Sequence, residues 1–187
     1  MKISTITDHD LALAQIIAQQ TAAAAAIGTR TSNAGRIVAS FAAAPTEAAL
    51  AATISAQLEL DALAKVQDAM PPADRREAAT RNSYAVQNRD SLVEILQSDI
   101  DSRLKEKTSW RKAKASEISR LSELLALAEL PHPELVAAEL RQDELSAALA
   151  NAAHAEREAT RHLAIFKADP SFENLANARA SNSAVTF

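Results

Sequence analysis

The most distinctive run of side chains in the sequence is basic and lies between residues 103 and 114. It carries six cations against one acid, Glu106, and it contains the single tryptophan of the chain. Its candidate contact residues are Arg103, Lys105, Lys107, Trp110, Arg111, Lys112 and Lys114. Cations bind phosphate oxygens and an indole can stack on a base, so this run is a candidate contact for nucleic acid. The same run could instead anchor a protein partner through Trp110.

Three interpretations of this basic run are open. Its cations step along the chain by 2, 2, 4, 1 and 2 residues, which on a helix spreads them around most of the cylinder, as in a solvated helix. Residues 117–144 carry seven acids against two arginines, so a basic and an acidic block could pair neighbouring chains in a staggered register. The third interpretation is a contact with nucleic acid or an acidic membrane surface, although no second aromatic residue lies near Trp110.

One histidine–carboxylate pattern could also support chemistry. His154, Glu158 and His162 recur every four residues and would share a helix face, but no fourth ligand accompanies them. The chain has no cysteine, no glycine-rich phosphate loop and no nucleophile elbow. We therefore expect a protein that is not an enzyme and that holds neither a metal nor a cofactor.

The elements that position these residues are helical by composition. Alanine contributes 44 of the 187 residues, glycine contributes two, and aromatic residues make up 3%. Scarce aromatic residues disfavour sheet, whereas abundant alanine, leucine, glutamate and arginine favour helix. Because alanine buries little area, we expect thin seams of two or three helices, and such seams often need partner chains for stability.

Residues 1–70 are predicted to form a smaller N-terminal helical segment. Its first helix would begin after an N-cap at Thr7, with Asp10 three residues on, and would end at Gly28. The two glycines of the chain would then bound a loop, Gly28–Gly35. The expected helices cover about 8–27, 36–44 and 46–70, with a strand at Ile37 and Val38 as the alternative to the second helix.

The third of these helices ends at Pro71 and Pro72, because two consecutive prolines cannot continue a helix. Its apolar stripe consists of Leu50, Ile54 and Leu58, continued by Leu60 or Asp61 and by Ala64 or Lys65, with Leu63 and Val66 adjacent.

Residues 73–168 are predicted to form a long antiparallel coiled-coil hairpin that turns at 131–133. No glycine or proline interrupts its first helix, in which Asn82 and Ser83 form a possible weak point. A short connection between two long amphipathic helices makes them antiparallel neighbours. The expected seam consists of Leu96, Ile100, Leu104, Ile118, Leu121, Leu125, Leu145 and Leu149.

Two polar residues, Gln142 and Glu156, interrupt the apolar stripe of the second hairpin helix. Polar residues at core positions of a coiled coil fix register and oligomeric state at some cost in stability. They therefore favour a protein that associates in one specific way. A wide, partly hydrated seam is the alternative.

Residues 169–187 are predicted to form a short C-terminal helix and a tail that is frayed or held by a partner. The corner before this helix repeats an earlier corner at an offset of 125 residues, with Phe, Ala, Pro, a hydroxyl residue, Leu and Ala at matching positions. In both, a proline turn precedes a new helix, with Thr46 and Ser171 as N-caps. The match indicates either a related pair of corners or convergent turn chemistry.

These features predict an all-α, elongated protein with a long antiparallel coiled-coil hairpin. No apolar run approaches the roughly 20 residues that span a bilayer, and the first residues lack the basic region of a signal peptide, so a cytoplasmic protein is expected. The predicted function is a non-catalytic structural or adaptor subunit that assembles with itself or a protein partner through Ala/Leu-rich helix faces. The alternative is a helical protein that binds nucleic acid through residues 103–114.

Overall fold

A computed structural model describes residues 5–126 and 133–185 of the chain. These residues form six α-helices and no strand, so the all-α prediction is confirmed. The helices are α1 (Ile6–Ala43), α2 (Glu47–Ala69), α3 (Ala73–Gln87), α4 (Arg89–Ala126), α5 (Pro133–Ala168) and α6 (Phe172–Ser183). Positions 131 and 132 of the predicted hairpin turn lie outside the described residues.

The chain divides into two compact units, an N-terminal unit of residues 1–83 and a C-terminal unit of residues 84–187. The division falls within α3, whereas the boundary predicted from the sequence was at Pro71 and Pro72. Both prolines do separate two helices, α2 and α3, as predicted.

Helix α1 differs most from the sequence-based expectation. It runs unbroken through Gly28 and Gly35, so the predicted loop and the separate helix over 36–44 are wrong. A glycine inside a helix costs only about 1 kcal/mol relative to alanine. In the N-terminal unit α2 packs along α1, and this packing buries Ala34 and Ala56. Close packing of small side chains outweighs the local preference of the glycines for a loop.

The start of α1 is also shifted from its predicted position. Thr5, not Thr7, is the N-cap: its Oγ1 accepts a hydrogen bond of 3.1 Å from the backbone N–H of Asp8. The Asp8 carboxylate in turn accepts a 3.1 Å bond from the Thr5 N–H. This capping box satisfies two backbone donors at once, which places the helix start two residues earlier.

By length and composition, α1 is the one described helix that could cross a membrane. It contains an 18-residue window of mean hydropathy 1.3, of which 6% is buried. The expectation that no segment reaches this length is therefore wrong for α1. Its alanines raise the average, and no charged residue occurs from Leu11 to Thr29. Core helices and signal sequences meet the same criterion, so the finding concerns composition alone.

Both repeated corners have the predicted caps. The Thr46 hydroxyl accepts a bond of 3.3 Å from the Ala49 N–H at the start of α2, and the Ser171 hydroxyl accepts one of 3.1 Å from Asn174 at the start of α6. Between α3 and α4 the helix breaks at Asn88, whose side-chain amide donates to the Tyr84 carbonyl at 2.9 Å. The predicted weak point at Asn82 and Ser83 is helical instead.

In the C-terminal unit α4 packs against α5, and α6 packs against both. Three residues of α4 contact residues of α5: Arg89 contacts Lys167, Lys107 contacts Ala152 and Ser122 contacts Gln142. The residue number of the partner on α5 decreases as the residue number on α4 increases. The two helices thus run in opposite directions over the described residues, while the coiled-coil geometry stays a prediction.

Burial is uneven along the α4–α5 seam. Leu96, Ile100 and Leu145 are buried, whereas the other five predicted seam residues are half-buried. After Lys107 no residue of α4 is buried, and before Leu145 no described side chain of α5 is buried. The seam is therefore a three-helix core where α6 is present and a half-covered two-helix contact elsewhere.

The C-terminal segment is held against α4. Asn182 is buried and its amide donates to Asp99 at 3.3 Å, and Val185 is buried while its carbonyl accepts a bond of 3.4 Å from Arg103. Residues 181–185 are therefore held by their own chain, which is neither the frayed tail nor the partner-held tail that was predicted.

Candidate interaction surfaces

The structure divides the cations of the basic run between the protein interior and its surface. Arg103, Lys107, Arg111 and Lys114 each contact other residues of the C-terminal unit, and only Lys105 and Lys112 are exposed without a described ion pair. Trp110, between them, is half-buried. The run is therefore not one continuous basic surface.

Lys107 is the most unusual of these residues. It is completely buried, and its ammonium group donates a hydrogen bond of 3.0 Å to the carbonyl oxygen of Ala152 on α5. Burial lowers the pKa of Lys107 from its ordinary value, the Arg111 charge lowers it further, and the Glu156 carboxylate opposes both effects. In this conformation the side chain is unavailable to an external partner.

The two polar residues of the α5 stripe each find a partner across the seam. Glu156 forms an ion pair with Arg111, and the Gln142 amide donates to the Ser122 hydroxyl at 2.8 Å. Each bond joins specific positions of α4 and α5, so a shift of one helix along the other would break both. Both contacts lie within one chain, and the register-setting role of Gln142 and Glu156 stays a prediction.

The acidic block that follows the basic run is partly neutralised within the same chain. Glu117 accepts a hydrogen bond of 3.2 Å from Lys114 and lies 3.4 Å from Arg141 on α5. The bond from Lys114 is the main cause that lowers the pKa of the Glu117 carboxyl, and Arg141 lowers it further. Arg141 also pairs with Glu144 at 3.2 Å. The bond from Lys114 to Glu117 thus joins the two blocks within one chain, and pairing of the blocks between chains stays a prediction.

The remaining exposed cations, Lys105 and Lys112, are seven residues apart and so share one face of α4. Two lysines on one face are a small electrostatic footprint, since proteins that bind nucleic acid commonly neutralise six to ten phosphates. No feature of the described residues enlarges this face into a groove with stacked aromatic residues.

The histidine–carboxylate pattern of α5 is described throughout. His162 lies 3.6 Å from Glu158, Arg161 also pairs with Glu158, and His154 is exposed. Among the described residues no three His, Asp or Glu side chains are grouped so that they could hold a metal ion.

A second surface lies on α2, where the apolar stripe was expected to be buried. Leu50, Ile54 and Leu58, which the apolar stripe of this helix includes, are exposed, as is Val66. The buried face of α2 is formed by Ala56 and Leu63 instead. The buried face of α2 therefore combines one small and one large apolar side chain, while Leu50, Ile54 and Leu58 stay exposed.

No family model, no curated protein and no solved structure matches this chain. Two of the surfaces described above bear on the candidate functions. One is the basic run of α4, most of whose cations contact residues of the same chain, and the other is the set of exposed apolar residues on α2.

Proposed function

We propose that the protein is a non-catalytic structural or adaptor subunit that assembles with itself or with a protein partner through Ala/Leu-rich helix faces. The exposed apolar surface of the helices carries this proposal, because apolar side chains that cluster on a surface mark protein contacts.

The chemical character of this surface supports the same function. Large apolar side chains are exposed in several helices. They are Leu11, Ile16, Ile37, Leu50, Ile54, Leu58, Val66, Val86, Leu124, Val136 and Leu140. Single exposed apolar side chains are ordinary, but clusters of them mark protein contacts. Assembly would cover them and would stabilise the thin seams by mass action.

Binding of nucleic acid through residues 103–114 is the alternative that the experiment must separate. A nucleic acid would have to use Lys105 and Lys112, or else break the ion pairs of Arg111 and Lys114. Such binding would weaken steeply as salt rises, whereas contacts between apolar faces would not.

The test is light scattering after size-exclusion chromatography, with absorbance recorded at 260 and 280 nm, on protein purified without nuclease. We expect a defined oligomer that persists at high salt and shows no excess absorbance at 260 nm. A monomer that carries excess 260 nm absorbance, lost at high salt, would replace this function by the nucleic-acid alternative. A monomer free of nucleic acid that unfolds cooperatively at every concentration would overturn self-assembly, and the function would then require a protein partner other than a second copy.

A further inference from the structure

A cavity of about 370 Å³ lies within the N-terminal unit, where α1 passes the corner between α2 and α3. One wall is a face of α1 over residues 20–27, the other is a face of α3 over residues 75–80, and Met70 and Pro71 form the corner. The cavity is open to solvent, so a ligand can enter it without a change of fold.

Most of the cavity lining is apolar. The apolar residues that line it are Ala23, Ala24, Ile27, Met70, Pro71 and Ala79. Its uncharged polar groups contact each other, because the Thr80 hydroxyl lies 2.7 Å from the amide oxygen of Gln20 and so joins α3 to α1. A mostly apolar lining with few polar groups is typical of small-molecule sites, whose volumes are about 300–1,000 Å³. The apolar lining therefore suits the chain or ring of a small ligand.

The charged side chains that line the cavity are both arginines, Arg75 and Arg76. Arg75 is exposed, and Arg76 is half-buried, with its guanidinium group donating a bond of 3.1 Å to the carbonyl oxygen of Pro71. Among the described residues neither arginine forms an ion pair. Helix α1 brings no charge to the cavity, because residues 11–29 contain none. Two neighbouring guanidinium groups without a counter-ion favour an anion at this wall.

The other charged residues of this region leave the wall to the two arginines. Asp74 directly precedes them, but consecutive residues of a helix do not face each other. Glu77 pairs with Arg81 at 2.6 Å, and Lys65 and Asp68, near the end of α2, do not line the cavity. These five charges offset part of the potential of the arginines at long range. An anion would therefore be held by direct hydrogen bonds to the guanidinium groups.

We propose that this cavity binds an anionic amphiphile, a small molecule that joins an oxyanion head group to an apolar chain. The head group accepts hydrogen bonds from Arg75 and Arg76, because planar guanidinium groups match the oxygens of a carboxylate or a phosphate. The chain lies against Ile27 and Met70. The site goes beyond the assembly function proposed above, and neither depends on the other.

Titration calorimetry with decanoate, below its micelle-forming concentration, tests the ligand class. We expect one decanoate per chain. Decanol should bind at least about 10-fold more weakly, because it lacks the charge that strengthens hydrogen bonds to arginine. Acetate, which lacks the chain, should show no detectable binding. Decyl phosphate distinguishes the head groups, since the tighter of the two decyl ligands identifies the preferred oxyanion. Decanol binding as tightly as decanoate would overturn the proposal.

The arginines are tested in a variant that carries both Arg75→Gln and Arg76→Gln. It should bind decanoate at least about 10-fold more weakly than the wild type. The matched control is Arg36→Gln, because Arg36 is an exposed arginine that lines a different cavity of the same unit. This control should bind decanoate as the wild type does. Circular dichroism should show the wild-type helix content in both variants.

The apolar lining has its own pair of variants. Ala23 and Ala26 are both exposed alanines of α1, and of the two only Ala23 lines the cavity. Ala23→Phe should fill the cavity and abolish decanoate binding, whereas Ala26→Phe should leave it unchanged. Decanoate binding that survives both Ala23→Phe and the loss of the two arginines would place the ligand elsewhere and overturn the site. A wild-type protein that does not bind decanoate or decyl phosphate would also overturn it, while light scattering would still decide the assembly function.

Discussion

The ammonium group of Lys107 lies 3.0 Å from the carbonyl oxygen of Ala152, and the lysine is completely buried in the α4–α5 seam. A carbonyl oxygen has two lone pairs, so Ala152 can accept this bond and still take part in its own helix. The pair therefore joins two helix backbones through one side chain. Desolvation of the ammonium charge is the energetic cost of the arrangement.

The first prediction concerns the alkaline stability of the seam. Because the pKa of Lys107 is lower in the folded chain than its ordinary value of 10.5, the folded chain binds fewer protons between the two values. The contribution of Lys107 to the unfolding free energy is constant below the folded-state pKa and rises as the pH increases from there to 10.5. Urea unfolding over a pH series measures this contribution as the difference in unfolding free energy between the wild type and the Lys107→Met variant.

At neutral pH we expect Lys107→Met to be about 1 kcal/mol more stable than the wild type, because methionine fills the site without a buried charge. This advantage should decline as the pH rises. Lys105→Met, an exposed position on the same helix, should change stability by less than about 0.5 kcal/mol at any pH. If the gain in unfolding free energy of Lys107→Met over the wild type does not depend on pH, the result would contradict the burial of the Lys107 charge.

The second prediction concerns the ion pair of Arg111 and Glu156, whose side chains are 36% and 30% exposed. A double-mutant cycle with alanine at each position should give an interaction energy of about 1 kcal/mol. The matched control is the Arg30–Glu59 pair, whose side chains are more exposed and whose interaction energy should be at most about 0.5 kcal/mol. Equal values for the two pairs would argue against a register-setting role for Glu156.

The third prediction separates the two possible N-caps of α1. Thr5→Ala removes the hydroxyl that accepts the Asp8 N–H, so it should cost about 1 kcal/mol and increase amide exchange in the first turn. Thr7→Ala lies inside the helix and should have little effect, since alanine is the better helix former. The reverse ranking by amide exchange would place the helix start at the position that the sequence predicted.

The fourth prediction tests the continuity of α1. An added Cβ would meet no atom within 4 Å at either Gly28 or Gly35, and neither residue has a positive φ. Gly28→Ala and Gly35→Ala should therefore each stabilise the protein by about 0.5–1 kcal/mol in urea unfolding. If Gly28 instead ended a helix in the left-handed conformation, Gly28→Ala would destabilise the protein.

The helix ends were predicted correctly where a proline or a capping hydroxyl marks them in the sequence. The prolines at 45, 71, 72 and 170 each fall between helices, and Thr46 and Ser171 cap the helices that follow. Gly28 and Gly35 were misinterpreted because their preference for a loop is weak. The tertiary packing of Ala34 against α2 reverses that preference, and a single sequence does not contain this information.

The surfaces were harder to predict than the helices. Lysine is rarely buried, so the sequence placed Lys107 with the exposed cations, and only the contact with Ala152 shows otherwise. On α2 the large apolar residues of the predicted stripe were the natural candidates for the core, yet Leu50, Ile54 and Leu58 are exposed and the buried residues are Ala56 and Leu63. Periodicity identifies an apolar row but does not tell which of two rows a neighbouring helix covers.

The half-covered seam has a calorimetric consequence. Beyond Lys107 no residue of α4 is buried, so unfolding this part of the α4–α5 contact exposes less new surface to water than unfolding a fully covered seam of the same length. The heat capacity change of unfolding should be smaller in proportion, because it follows the surface newly exposed to water. The stability of the single chain would then vary little with temperature and show a flat maximum.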